Sequence, residues 1–441
     1  MGAVHRLILL VFLALFAVSA PAGSMAAEAP ARRAEQALLA WYKLSLALVR
    51  HTPTYSPPVA SRSFAYIGVT AFEAVASGTV GMQSLAGQLN GLQPLPRRNA
   101  GEAYDEAVVV NAALGLLVRK LFENTGPTGQ RVIDLQDAKL GKLVSEDVAP
   151  DVLARSEQYG REIAAHVLVW SHGDGGGVIE NMGFPYQYAL NPGPAHWVPT
   201  SLIAQQQMPL LPEWGTNRTF AMPNGKTCGL PTPPDYSEDK NSSFYAEALE
   251  VYQTSKNLNA DQRAIARFWS DDPMLSPTPP GHWISIALQI IEHDKLGLER
   301  SVDVLARLGI VMADAFIGCW ETKFEYDLLR PVTYIRRLID PKWEPLLITP
   351  PFPEYPSGHS TLSAAAADVL TNLFGENFAF EDRTREGDGL KPRSFASFTA
   401  AAQEAGMSRL LGGIHFRSAI ERGLEQGKCI AGYANALRTR R

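Results

Sequence analysis

Cysteine is scarce: Cys228, Cys319 and Cys429 are the only three in 441 residues, and they lie far apart. That excludes a disulfide framework and any zinc site built on closely spaced thiolates. In an oxidising compartment one pair is free to bridge, and the odd count leaves at least one thiol unpaired within the chain. A charge excess is missing too, with 40 basic and 45 acidic side chains and a net charge of −5. A nucleic-acid binder working through a broadly basic surface is thereby excluded, whereas a local basic pocket is not. Alternating apolar–polar runs closed by hairpin turns are sparse, which leaves little room for sheet. Beyond the first thirty residues no apolar run reaches spanning length without charges. With 46% apolar and 19% charged residues, the chain has the composition of a folded protein with a large core.

The N-terminus has the layout of a secretory leader. His5 and Arg6 form a short polar head, residues 7–18 are an unbroken apolar run, and Ser24-Met25-Ala26 offers a small-x-small cleavage site. The run falls short of the roughly 20 residues of a comfortable membrane span. Residues 1–26 are therefore expected to be removed, leaving an exported chain, periplasmic or secreted, without stable membrane insertion. The remainder reads as all-α. Apolar residues recur at helical spacing over 34–51, 61–76, 100–123, 151–170, 243–253, 260–269, 283–298 and 301–321. Between Ser171 and Pro234, glycines and scattered prolines predict a long irregular segment. The expected organisation is a helical region at 27–210, a connecting segment at 211–280 and a second helical bundle at 281–441.

Three short stretches of that last region carry the chemistry. In the first, Lys323 and Arg330 are seven residues apart, close to two helical turns, so both cations are expected on one face before Pro331 stops the helix. In the second, a proline-rich approach from Pro350 ends in Ser357-Gly358-His359, followed by an alanine-rich helix over 364–373. Ser357 sits where an N-cap belongs, and the free N–H groups of such a helix start bind anions. In the third, Gly412-Gly413 stops a helix that carries Arg409, and His415 follows. Each stretch alone reads as an ordinary solvated face, cap or helix stop. Together they gather three cations, two histidines, a serine and a glycine N–H, which suits a tetrahedral oxyanion.

The order Lys, six residues, Arg-Pro; Pro-Ser-Gly-His; Ser-Arg, five residues, His resembles the signature of the superfamily of type 2 phosphatidic acid phosphatases and vanadium-dependent haloperoxidases. It covers Lys323 to Phe416, about a fifth of the chain. The long helical region before it, Trp320, and Thr349-Pro350-Pro351-Phe352-Pro353 resemble the haloperoxidase branch. The resemblance implies a vanadate cofactor, whose site phosphate can also occupy. His415 would be the metal ligand. Lys323, Arg330, Arg409, Ser357 and the Gly358 N–H would bind the oxygens. His359 would be the acid–base residue and Lys323 would polarise peroxide. Hydrogen peroxide and halide are then the substrates. Phe352 resembles the chloroperoxidase type, although bromide and iodide are the safer expectation.

A phosphatase acting on a phosphate ester through a phosphohistidine at His415 uses the same residues and remains open. So does a binder that holds the anion without turnover. A homo-oligomer is compatible with the sequence. One departure stands out. The superfamily usually has Asp four residues after the last histidine, to orient its ring, and here that position is Ala419. Either the activity is weakened or a backbone carbonyl serves instead, and Glu421 would point elsewhere if the segment is helical. Two further positions near the motifs, Asp271 and His282, are expected to be a helix-ending turn and a cap or surface residue.

Overall fold

The computed structural model describes residues 22–177, 187–201 and 208–441, with side chains from residue 31 onward. Residues 1–21 of the expected leader lie outside the described residues. The first helix, α1 (Ala22–His51), begins within the leader's small-residue stretch.

The second helix, α2 (Pro57–Ala76), has no polar face; every residue from Pro58 to Val75 is buried. A helix apolar all round must sit inside the core. Its main partner is α9 (Leu298–Tyr326), which is buried for most of its length. Glycines set their closeness: a Cβ on Gly68 would stand 2.8 Å from Ala306 Cα, and one on Gly309 would stand 2.6 Å from the Phe64 carbonyl oxygen. On α2 pack α3 (Glu106–Leu121) and α5 (Pro150–His172), while α1 and α4 (Gly126–Ser145) pack on α3 and on each other. The sequence reading starts the third helix at 100. It begins at Glu106 because Asp105 caps it, accepting from the Ala107 and Val108 N–H groups. No helix was expected at α4, whose apolar stripe is thin and whose start reads as a Gly-Pro turn.

After α5 the described chain carries only a 3-10 turn, Trp214–Thr216, before α6 (Ser243–Lys256) and α7 (Ala260–Phe268). The 211–280 stretch is thus irregular at first and helical later. After these come α8 (Thr278–Asp294), α9, α10 (Pro331–Leu338), α11 (Gly358–Phe374), α12 (Phe398–Leu411) and α13 (Arg417–Asn435). Between α11 and α12, β1 (Phe380–Asp382) pairs antiparallel with β2 (Arg393–Phe395), Phe380 facing Phe395. No helix among the described residues is long and apolar enough to cross a membrane. One continuous core runs from Ala34 on α1 to Leu437 beyond α13, and a smaller one joins α6, α10, Tyr355 and Phe416. Cys228 and Cys429 form a disulfide that ties the irregular segment to α13, while Cys319 is a buried free thiol.

Candidate active site

Lys323 lies in the last turn of α9. The helix stops at Asp327, a left-handed residue with φ 46°, and Arg330 is the N-cap of α10 with Pro331 in its first turn. The expected single helical face is therefore not what unites Lys323 and Arg330. The chain turns between them, and the two cations meet at the ring of Phe352. Lys323 Nζ is 5.1 Å and the Arg330 guanidinium carbon 4.9 Å from that ring's centre. Both cations are fully buried. Lys323 Nζ donates to the carbonyls of Pro353 (2.8 Å), Glu354 (3.0 Å) and Pro356. Its donors thus hold the proline-rich approach in place.

That approach delivers the start of α11. Ser357 is the N-cap, its Oγ accepting from the Ser360 N–H at 3.3 Å, as expected from sequence. A Cβ on Gly358 would meet Trp320, Phe316 and Cys319 at 3.7–3.9 Å, ordinary contact distances. Protein packing therefore does not demand glycine there, and the missing side chain leaves room for a ligand. His359 follows with its side chain 17% exposed.

His415 comes past Gly413, which has φ +78°, a conformation that favours glycine. Its Nε2 lies 3.1 Å from Arg330 Nη1. A guanidinium only donates, so Nε2 is the acceptor and the ring proton sits on Nδ1. Nδ1 points at Glu354 Oε1, 2.8 Å away, and the same oxygen accepts from the Phe416 N–H at 2.8 Å. The orienting acid therefore exists, but it comes from the proline-rich approach, 61 residues upstream. The expected carbonyl substitute is corrected accordingly. Ala419 is buried and uses its carbonyl to bind the Ser357 N–H. Glu421 is exposed and reaches only toward Arg417, as expected.

The two subsidiary expectations are also corrected. Asp271 and His282 are both buried and joined, His282 Nδ1 lying 3.0 Å from each Asp271 oxygen. The pair stands behind His359, whose Nε2 is 3.9 Å from Asp271 Oδ2. Sequence reasoning missed Glu354 and His282 because each acts through contacts distant in sequence. The only local signal was a charged residue inside an otherwise apolar or proline-rich string.

These pieces surround a mostly apolar cavity of about 390 Å³. Gly358, His359, Arg409 and His415 line it, together with Trp320, Phe352 and the α1–α2 turn from Pro53 to Pro57. Lys323, Arg330 and Ser357 form the layer behind that wall. All seven residues expected from sequence are thus gathered in one region, four at the surface of the cavity and three beneath it.

The electrostatics are those of a site short of negative charge. Burial drives Lys323 down to about 7, helped by Arg330, and holds Arg330 and Arg409 at about 10. Burial, reinforced by Arg330, Lys323 and Arg409, keeps His415 neutral well below the ordinary histidine range. Burial and Arg409 do the same to His359, against the pull of Asp271. Glu354 is raised by burial to about 8 even though Arg330 and Lys323 oppose the rise. In either protonation state its Oε1 still accepts the two N–H groups. Arg330 Nη2 and His359 Nε2 are buried with no hydrogen-bond partner among the described residues. Unmet donors and three buried cations fit an oxyanion of charge two or three. Vanadate fits this donor set, with the His415 Nε2 lone pair as the one uncharged ligand.

The chain belongs to the vanadium-dependent haloperoxidase family. It is 35% identical to a protein whose crystal structure is described as the first bacterial vanadium-dependent iodoperoxidase; the match covers 92% of this chain and 97% of that one, with a TM-score of 0.83. It is also similar, at 25% identity over 399 residues, to the vanadium chloroperoxidase of Curvularia inaequalis. That alignment takes in 76% of this chain and 65% of the relative, so the chain spans just under two thirds of the relative's length. A family model described as the VCPO second helical-bundle domain matches residues 303–342 and 338–440. A holo-type bacterial vanadium-dependent chloroperoxidase shares the fold, at 18% identity and a TM-score of 0.65 over 88% of this chain and 93% of that one.

Proposed function

We propose that this protein oxidises halide with hydrogen peroxide at a vanadate held by His415. The observation that carries the reading is the state of that histidine: neutral, protonated on Nδ1 toward Glu354, with its Nε2 lone pair turned into a ring of cations. Arg330, Arg409, the Ser357 hydroxyl and the Gly358 N–H bind the oxygens. Lys323 would add charge from beneath and would polarise peroxide. When bound, vanadate supplies a Lewis acid toward peroxide oxygen and needs no change of oxidation state.

The overall reaction converts halide, hydrogen peroxide and one proton into hypohalous acid and water. His359 is the group placed to handle that proton: its side chain lines the cavity, and its low proton affinity makes it free to accept at neutral pH. Trp320 and Phe352 pack together at 4.9 Å between ring centres and give the halide an apolar approach, suited to the larger and less hydrated iodide and bromide. Residues 281–441 form the oxyanion-binding core, and 27–210 its support. Export to the periplasm or medium follows from the leader-like N-terminus, and the Cys228–Cys429 disulfide supports it. N-terminal mass spectrometry of the protein from cell fractions tests that part.

The activity test is dialysis against orthovanadate in phosphate-free buffer, followed by iodide and bromide oxidation with peroxide. Apo-protein is assayed in parallel on an aryl phosphate. Vanadate-dependent halide oxidation is expected. Ester hydrolysis inhibited by vanadate, with no halide oxidation, would move the assignment to a phosphatase acting through His415.

A further inference from the structure

A second histidine, fully buried behind the cavity, is tied more tightly than either histidine of the site. His282, in the first turn of α8, has carboxylates at both ends. Nδ1 is 3.0 Å from each Asp271 oxygen and Nε2 is 2.8 Å from Asp382 Oδ2. Nε2 also lies 2.8 Å from Thr384 Oγ1, and with a carboxylate at each ring nitrogen the ring is held as an imidazolium. Trp269 stacks on it, with centres 4.4 Å apart and planes at 15°. Arg385, from the β1–β2 connection, holds the same Asp271 at 3.2 Å, and the Thr384 N–H fixes Asp382 at 2.9 Å. Nothing in the fold requires so many charges here, since the space could be filled with apolar side chains. What the cluster does is fix one carboxylate: Asp271, itself in a left-handed conformation (φ 48°), with Oδ2 toward His359.

We infer that His282, backed by Asp382, is the positioning residue that holds the Asp271 carboxylate against the His359 ring and so sets the proton affinity of the acid–base histidine. This rests on the halide-oxidation reading for its kinetic consequence, but not for its electrostatic one. The groups facing His359 are Arg409 on α12, Asp271 and Asp272 ahead of α8, His282 on α8, Arg385 behind Asp271, and His415 across the cavity. Of these only Asp271 is both anionic and fixed by His282.

The inference makes a prediction opposite in sign to a mere charge effect. If His282 acted only as a nearby cation, removing it would raise the His359 pKa. If it positions Asp271, removing it frees that carboxylate, and the His359 pKa falls. The probe is phosphate-bound full-length protein, with the His359 ring titrated by NMR in wild type, His282→Phe, Asp271→Asn and the double variant. Phe keeps the stack on Trp269 and loses both donors. The expected result is a fall of about one unit in His282→Phe. The fall should resemble that in Asp271→Asn, with no further change in the double variant. His282→Gln, which keeps one donor group, should recover part of the shift. In vanadate-loaded enzyme, His282→Phe should lower kcat by about tenfold or more, with halide KM and vanadate affinity unchanged.

A rise or no change in the His359 pKa overturns the inference. Should His282→Phe fail to fold, Asp382→Asn is read in its place, and an unchanged His359 titration there overturns it equally. Wild type lacking halide oxidation would instead overturn the functional reading, leaving the NMR result to decide this one.

Discussion

Two buried histidines in this protein, His415 and His282, sit in equally dry surroundings and are held in opposite charge states. Burial penalises the imidazolium at both. At His415 the neighbours are Arg330, Lys323 and Arg409, so burial and neighbours agree and the ring stays neutral. At His282 the neighbours are Asp271 and Asp382, which overcome the burial penalty and raise the ring to about 10. Asp271 shows the reciprocal effect. Burial would raise it, but His282, Arg385 and His359 hold it at about 2. A buried histidine's charge is thus decided by the sign of the charges around it.

The comparison breaks most visibly at the ligand. His415→Ala should abolish vanadate-dependent halide oxidation, measured against dye bromination or triiodide formation. Next comes the acid that orients it. Glu354→Ala leaves the His415 Nδ1–H and the Phe416 N–H without their acceptor, and vanadate affinity, read by titration calorimetry, should fall about 10–100-fold. Glu354→Gln keeps a carbonyl acceptor and should lose less. Equal losses in the two variants would mean that the negative charge, and not the orientation, matters.

Smaller and more telling are the pH effects, because the two histidines have opposite signs. His282 is raised in the folded state, so its contribution is full below its unfolded value of about 6.5 and is lost as pH rises through 10. His415 is lowered, so folding stability falls as pH drops below about 6.5 and the unfolded chain takes up the proton. Each site alone tilts stability by at most about 1.4 kcal/mol per pH unit in its window. Urea melts from pH 5 to 10 should show a maximum between the two. His282→Gln should flatten the alkaline limb and leave the acid limb in place. The smallest effect concerns Lys323. Its pKa of about 7 in the anion-free site means that anion binding recruits a proton above that pH, so vanadate affinity should decline from pH 7 to 9, after correction for vanadate's own ionisation.

The helical class, and the seven residues that the fold gathers at and beneath one cavity, were legible from sequence because their signals are local. Ser357 caps α11 as its position ahead of an alanine-rich run implies, and Pro331 separates α9 from α10. What the sequence did not disclose was anything decided by chain segments meeting at long range. Lys323 and Arg330 have helical spacing, yet they converge because Asp327 ends the helix and both cations pack on Phe352, 22 residues beyond Arg330. Glu354 looked like an isolated charge among prolines, and its partner is 61 residues away. Asp271 had the form of a helix-ending turn because such turns are made of the same residues. Its burial depends on Asp382 and Arg385, more than a hundred residues later.

Lys323 has one more consequence. Its ammonium is already surrounded by three carbonyl oxygens, those of Pro353, Glu354 and Pro356, much as a dissolved cation is surrounded by water. The lysine therefore carries its own substitute solvent, drawn from the proline-rich segment that leads to Ser357. An arriving oxyanion that reaches Nζ must displace one of these oxygens, so the step is an exchange of acceptors and not a simple gain. The lysine's share of binding energy is then a difference between two good contacts. The same three contacts tie the proline-rich segment to the last turn of α9.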